Sequence, residues 1–283
     1  SPPKKLENIL MNETITDIIS LINQINDGSK IAIFKDCSVP MSLGRGLIKR
    51  QVRNLHLVTV PTGSFLPDML IGAGCVSTIE TAGVSLGEFG LANRFGSAIK
   101  EGSVTVLDAT CPAIYAGLQA SEKGIPFIPL RGLIGSDVLA NRGDFQIIDN
   151  PFERDDPIAV LPAIQPDFTL FHAPMADQAG NVYLGRQAEL KIMAHASKKT
   201  FVTVEKIVDF NIMDHEELGS ASLSHLYVDG IAVASNGSWP LNLPGHYDYD
   251  RKTMQSYAHA AKNQETFNSW VDIYLGKELR ETG

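Results

Sequence analysis

Cysteine is scarce: Cys37, Cys75 and Cys111 are the only three in 283 residues, with no Cys-x-x-Cys pair and no cysteine–histidine spacing. Such usage excludes a disulfide-stapled scaffold and a thiolate zinc site, and it makes a reducing, cytoplasmic setting the expected one. Positive charge is also short, with 24 Lys and Arg against 32 Asp and Glu, a net charge of -8 and an isoelectric point near 5.4. That deficit leaves no electrostatic footprint for a phosphate backbone or an anionic bilayer, so neither nucleic acid nor a membrane is expected as a partner. A small anion is still compatible, because helix N-termini and a few local cations suffice to hold one. No stretch reaches the roughly 18 uninterrupted apolar residues of a membrane span. The Lys4-Lys5 pair has no long apolar core behind it, so no secretory signal is expected either. Catalytic fingerprints are missing too: there is no GxGxxG after the first strand, no GxSxG, no HExxH and no histidine pair at i, i+4. Neither a metal nor a tightly bound cofactor is expected.

What is present is a globular composition, 44% hydrophobic and 20% charged, with no linker-like tract or internal repeat. One α/β domain over residues 1–283 is the expectation. Apolar residues from Ile9 to Ile25 fall at helical spacing and stop at Asp27-Gly28. A strand over Lys30–Phe34, a loop over Lys35–Pro40 and a helix over Met41–Arg50 follow. The helical pattern takes in Leu43-Gly44-Arg45-Gly46-Leu47, which removes it as a phosphate loop. The same order recurs at Leu55–Val60 and at Ser103–Leu107, the latter leading into a helix over Ala113–Lys123. Repeated βα units imply a mainly parallel sheet covered on both faces. Downstream, Ile125–Leu130 reads as a strand, Arg131–Gly143 as a long loop, and Phe168–His172 and Thr200–Glu205 as buried strands around a helix over Glu189–Ser197. A C-terminal helix is expected over about residues 253–276, carrying Tyr257, Phe267, Trp270 and Tyr274.

In an open parallel sheet the ligand crevice lies beyond the carboxyl ends of the strands. The polar residues there are Lys35, Asp36 and Ser38; Thr62 and Ser64; Asp108 and Thr110; and His172 with Asp177. Ser38, Thr62 and Asp108 could equally be helix N-caps, and His172 a structural hydrogen-bonder. The Arg131–Asp137 loop adds Arg131 and Ser136 as candidates for binding an anionic substrate. Glu88 stands between Gly87 and, one residue on, Gly90, a setting open enough for a covalent carboxylate nucleophile; the alternative is a surface acid. His215-Glu216-Glu217 reads as a solvated face.

Five segments occur in an order that resembles a known family: Asp68–Gly74, Ile148–Phe152, His172-Ala173 followed by Gly180-Asn181-Val182, Phe201–Val208 and His246–Asp250. Together they are similar to the A (α) subunit of family I CoA-transferases, in plan that of glutaconate CoA-transferase. The resemblance implies a Rossmann-like fold shared with ribose-5-phosphate isomerase. It also implies coenzyme A as a substrate, acyl-CoA as its carrier, and a homologous B subunit bearing the nucleophilic Glu in a Ser-Glu-x-Gly type loop. This chain has no such loop, so no nucleophile is carried over. The family's glycine-rich oxyanion loop corresponds to Lys35–Pro40, which keeps the proline without the glycines. The same architecture resembles the A subunits of hydrolases that open a ring ketone on a CoA thioester during steroid-ring breakdown. A third reading is a catalytically silent partner subunit that only shapes the pocket.

Overall fold

The computed structural model describes residues 14–35 and 37–281. Lys4-Lys5, the first part of the expected Ile9–Ile25 helix and Asp36 lie outside the described residues. The strands are β1 (Lys30–Phe34), β2 (Leu55–Val60), β3 (Val76–Thr81), β4 (Thr105–Asp108), β5 (Phe127–Leu130), β6 (Gln146–Asp149), β7 (Pro157–Pro162), β8 (Phe168–Asp177), β9 (Val182–Tyr183), β10 (Lys199–Val208), β11 (Ser222–Leu223) and β12 (Gly230–Val233). From β1 the chain adds β2, β3 and β4 outward, each parallel to the last. It then returns to lay β8 on the other side of β1, with β10 and β12 outward again and also parallel. Short antiparallel β9 and β11 extend the carboxyl half of β8 and complete a nine-stranded sheet. Strand order therefore reverses between β1 and β8, and such a reversal opens a crevice outside the carboxyl ends of the two strands.

Both faces are apolar, as a doubly covered parallel sheet requires. Ile31 and Ile33 of β1 point to one core, Ala32 and Phe34 to the other. The first core is closed by α1 (Ile18–Asn23), α2 (Met41–Lys49), α3 (Phe65–Gly72) and α4 (Asn93–Glu101). Gly44 and Gly46 of α2 make that packing possible, since an added Cβ would meet Leu66 at 2.2 Å or Ile22 at 2.0 Å. The second core is covered by α5 (Cys111–Glu122), which Thr110 caps with a Pro112 in its first turn. Downstream come α6 (Asp137–Asn141), α7 (Glu189–Ala196) and α8 (Glu216–Ser220), and α9 (Arg251–Ala260) with α10 (Gln264–Glu281) completes the first core. Among the described residues no helix is long and apolar enough to cross a membrane.

Three expectations change. Ile125–Leu130 yields a strand, β5, but it leaves the main sheet and pairs antiparallel with β7, which also holds β6. The long loop over Arg131–Gly143 contains a 3-10 turn at Arg131–Leu133 and α6, capped by Ser136. The C-terminal helix is two helices, because the Asn263 side chain accepts from the backbone N–H of Glu265 at 2.8 Å and starts a new one. The continuous aromatic spacing hid that break: Tyr257 packs edge-on to Phe267 and Trp270 across it, and Trp270 stacks on Tyr274.

Candidate active site

β1 pairs with β8 only from Ile31–Phe168 to Ile33–Leu170. Beyond that register the Lys35–Pro40 loop takes the place of the strand, and His172 N–H donates to the Ser38 carbonyl at 2.8 Å. Ser38 is 2% exposed and has φ of 55°, the left-handed region that glycine favours. At Ser38 the backbone thus takes a conformation glycine favours, although the residue is not glycine.

His172 marks where the core-facing row of β8 turns polar after Phe168 and Leu170. Thr203 and Glu205 do the same on β10 after Phe201. The imidazole lies over both, with Nδ1 2.9 Å from Thr203 Oγ1 and Nε2 2.7 Å from Glu205 Oε1. Burial, above all, pushes the His172 pKa down, against the pull of the Glu205 carboxylate. Burial works to raise Glu205, but hydrogen bonds from His172, the Asn236 N–H (2.9 Å) and Tyr247 prevail and hold it below the usual carboxylate range. An ionised carboxylate can only accept, so Nε2 of the neutral ring carries the proton and Nδ1 accepts from the Thr203 hydroxyl. The loop after β12 closes over this row. Tyr247 Oη accepts from Ser238 N–H at 3.0 Å, and Ser238 Oγ donates to the Val39 carbonyl at 2.8 Å. Trp239 in the same loop is anchored by Arg45 of α2, whose guanidinium donates to the Trp239 carbonyl at 3.0 Å and to Tyr274 Oη at 2.8 Å.

The structure brings Lys35, Ser38 and His172 to this crevice. The Lys35 ammonium is 5.3 Å from the Phe34 ring centre, and the Lys35 carbonyl accepts from Ser64 Oγ at 2.9 Å. Asp108 ends β4, three strands out from β1, and its carbonyl accepts from Arg142 at 3.0 Å. Arg131 and Ser136 belong to the three-stranded sheet and the turn after it. Arg131 is paired to Asp156 and, at 3.7 Å, to Glu153, while Ser136 caps α6. Glu88 is exposed and held by both terminal nitrogens of Arg251, at 2.8 and 2.6 Å, which makes it a surface ion pair. Neither Ser38, Thr62 nor Asp108 is a helix N-cap; Asp177 is a buried turn acid accepting from Asn181 and Ile212 amides. Glu205, Tyr247 and Ser238 are not singled out by the sequence, although Thr203 and Glu205 following Phe201 on one face of β10 are a readable sign of a polar row. Among the described residues no cluster of three or more His, Cys, Asp or Glu could hold a metal ion.

Residues 15–234 match the coenzyme A transferase family pattern. The chain is 31% identical to the A-type component of 3-oxoadipate CoA-transferase from Pseudomonas knackmussii, over 89% of each protein. It is 29% identical to the cholesterol ring-cleaving hydrolase IpdA subunit of Rhodococcus jostii, covering 83% of this chain and 82% of that one. Its fold superposes on crystalline glutaconate coenzyme A-transferase from Acidaminococcus fermentans with a TM-score of 0.86 at 24% identity, covering 93% of this chain and 88% of that one. A parallel sheet reversing at β1/β8, a glycine-like turn at that point and a family match over most of its length make this chain a member of the coenzyme A transferase family.

Proposed function

We propose that this chain is the A subunit of a heteromeric CoA-transferase, which moves coenzyme A between an acyl-CoA and a carboxylic acid. The observation that carries the reading is the left-handed Ser38 turn at the β1/β8 reversal. A turn of that kind presents successive backbone N–H groups, the donors that stabilise an oxyanion at a thioester carbonyl. Lys35, beside it, is the cation for a substrate carboxylate or a coenzyme A phosphate. The nucleophile comes from a homologous B subunit. Its carboxylate attacks the thioester carbonyl and expels CoA thiolate, leaving a mixed anhydride. The thiolate then attacks the glutamyl carbonyl of that anhydride, releasing the acyl group as a carboxylate and leaving a glutamyl-CoA thioester. Within this chain the two carboxylates worth considering are already committed, Glu88 to Arg251 and Glu205 to His172 and Asn236.

Mass spectrometry of the two-subunit complex after acyl-CoA and borohydride tests the reading, with a trapped Glu on the partner as the expected result. A label on Glu88 would overturn the division of labour. The similarity to the ring-cleaving hydrolase supports a second reading, water-driven opening of a ring ketone on a CoA thioester. Product formed with no label on either protein is its signature.

A further inference from the structure

We infer that Tyr247 and Glu205 are positioning residues for the Ser38–Val39 turn, acting on it through Ser238. The inference rests on the reading of that turn as part of the reaction site, and it adds residues the turn depends on.

The turn follows the end of β1 alongside β8 and is tied to the rest of the fold by two of its carbonyls. Ser38 C=O is fixed by the His172 N–H, on a rigid strand. Val39 C=O accepts locally from the Met41 N–H at 2.9 Å and, across the fold, from the Ser238 hydroxyl on an irregular loop, so its tie to the rest of the site is only as good as what fixes Ser238. Ser238 is fully buried, and its own N–H ends on the Tyr247 hydroxyl oxygen. Glu205 Oε2 accepts from the Asn236 N–H at 2.9 Å, two residues before Ser238 in the same loop. Glu205 is tied to the same His172 whose backbone holds Ser38. The bonds close into a ring through Ser38, His172, Glu205, Asn236, the loop to Ser238, and Val39, with Tyr247 holding the Ser238 N–H from outside it. Each donor and acceptor in it has one consistent direction. Gly237 supports the ring from the side, since its carbonyl accepts from Ser42 N–H at 2.9 Å and its missing Cβ lets the loop lie on the imidazole. A serine at positive φ is a strained conformer, and strain of this kind persists only where the surroundings over-determine it. The ring supplies that constraint, and the low dielectric around Ser238 strengthens each of its bonds.

The test compares the two-subunit complex carrying Tyr247→Phe, Ser238→Ala or both with the unaltered complex. Two quantities are read, amide hydrogen exchange of peptides covering residues 37–42 and the kcat and KM for acyl-CoA. Each single change should speed exchange of that peptide roughly 5- to 150-fold, the range for one lost buried hydrogen bond. Exchange in β8 and β10 should hold, kcat should fall while KM stays constant, and the double variant should be no worse than the poorer single one. Unchanged exchange at residues 37–42, or effects of the two changes that simply add, would overturn the inference. A general loosening that spreads to β8 and β10 would also overturn it, because that is what a merely structural role predicts. Should the unaltered complex transfer no coenzyme A while the exchange results hold, the transferase reading fails and the positioning of the turn stands.

Discussion

At Gly237 one absent methyl group decides how closely the loop after β12 can approach His172. A Cβ there would sit 2.4 Å from His172 Nδ1 and 3.0 Å from the Ala234 carbonyl, and the ring cannot retreat because both its nitrogens are bonded. Gly237→Ala is therefore expected to cost about 1–3 kcal/mol by overpacking, read as a lower urea midpoint, and to lower kcat with it. Glu88 is the opposite case. Its pair with Arg251 is solvent-exposed, and such pairs contribute little. Glu88→Gln should leave both the urea midpoint and the activity unchanged; a loss of turnover would return Glu88 to the site. Lys35→Ala should raise KM for the anionic substrate roughly 10- to 150-fold, the worth of one charge-assisted contact, and steady-state kinetics with an unchanged KM would remove Lys35 from the binding role.

Between elements, the decisive contact is ionic. Arg142, in the segment between α6 and β6, reaches back to the main sheet and meets Glu80 of β3 at 2.8 Å, both side chains nearly inaccessible. Lys30 and His56 approach the same carboxylate at 3.7 and 3.8 Å, and Asp144 holds the other edge of the guanidinium at 2.8 Å. The three-stranded sheet is thereby moored to β3. Burial opposes charge on Glu80, yet His56, Lys30 and Arg142 together hold its pKa below the usual range. A carboxyl with a depressed folded pKa contributes stability that is complete above its unfolded pKa, about 4.3, and is lost as pH falls through the folded value. Acid unfolding followed by circular dichroism should accordingly begin below about pH 4, and Glu80→Gln should remove this component of the pH dependence. That variant should also lose about 1–3 kcal/mol at neutral pH, because the buried Arg142 gives up one of its two carboxylate partners and keeps only Asp144, and proteolysis should then reach residues 131–149 first.

Over the whole molecule, α10 holds the loop after β12 that covers His172. Tyr274 of α10 stacks on Trp239 at 5.2 Å between ring centres and bonds Arg45, so the end of the chain secures the loop that carries Ser238 and Tyr247. Tyr274→Phe should cost about 0.5–1.5 kcal/mol by removing the hydroxyl that accepts from the buried Arg45, and thermal unfolding checks it. The nucleophile assigned to a partner makes assembly the largest-scale expectation. Light scattering should find this chain joined to a homologous second protein when the two are co-expressed, and full transferase activity from this chain alone would refute the need for one.

The sequence by itself determined the architecture, because repeated apolar strands between helical stretches leave few ways to bury both faces other than a parallel sheet. The Lys30–Phe34, Leu55–Val60 and Met41–Arg50 segments were legible for that reason, and the ordered motifs from Asp68 to Asp250 made the family legible as well. The sequence pattern ends the strand at His172, whereas β8 runs on to Asp177 and the ring sits mid-strand, past the point where β1 stops pairing, because β10 continues the ladder there. The sequence could not reveal that Glu205, some thirty residues later, would lie under His172, because that pairing depends on β10 lying beside β8 in a register matching Thr203 to His172. Nor could it reveal that a serine would adopt the turn glycine usually makes, since positive φ at Ser38 is imposed by bonds from β8 and from residue 238. Arg131 and Glu88 stood out from their glycine-rich neighbours, but only the folded chain decided that Asp156 and Arg251 would be waiting for them. Local spacing dictates which segments become strands and helices; long-range hydrogen bonds and ion pairs select which of their polar residues meet, and those exist only once distant segments are packed together.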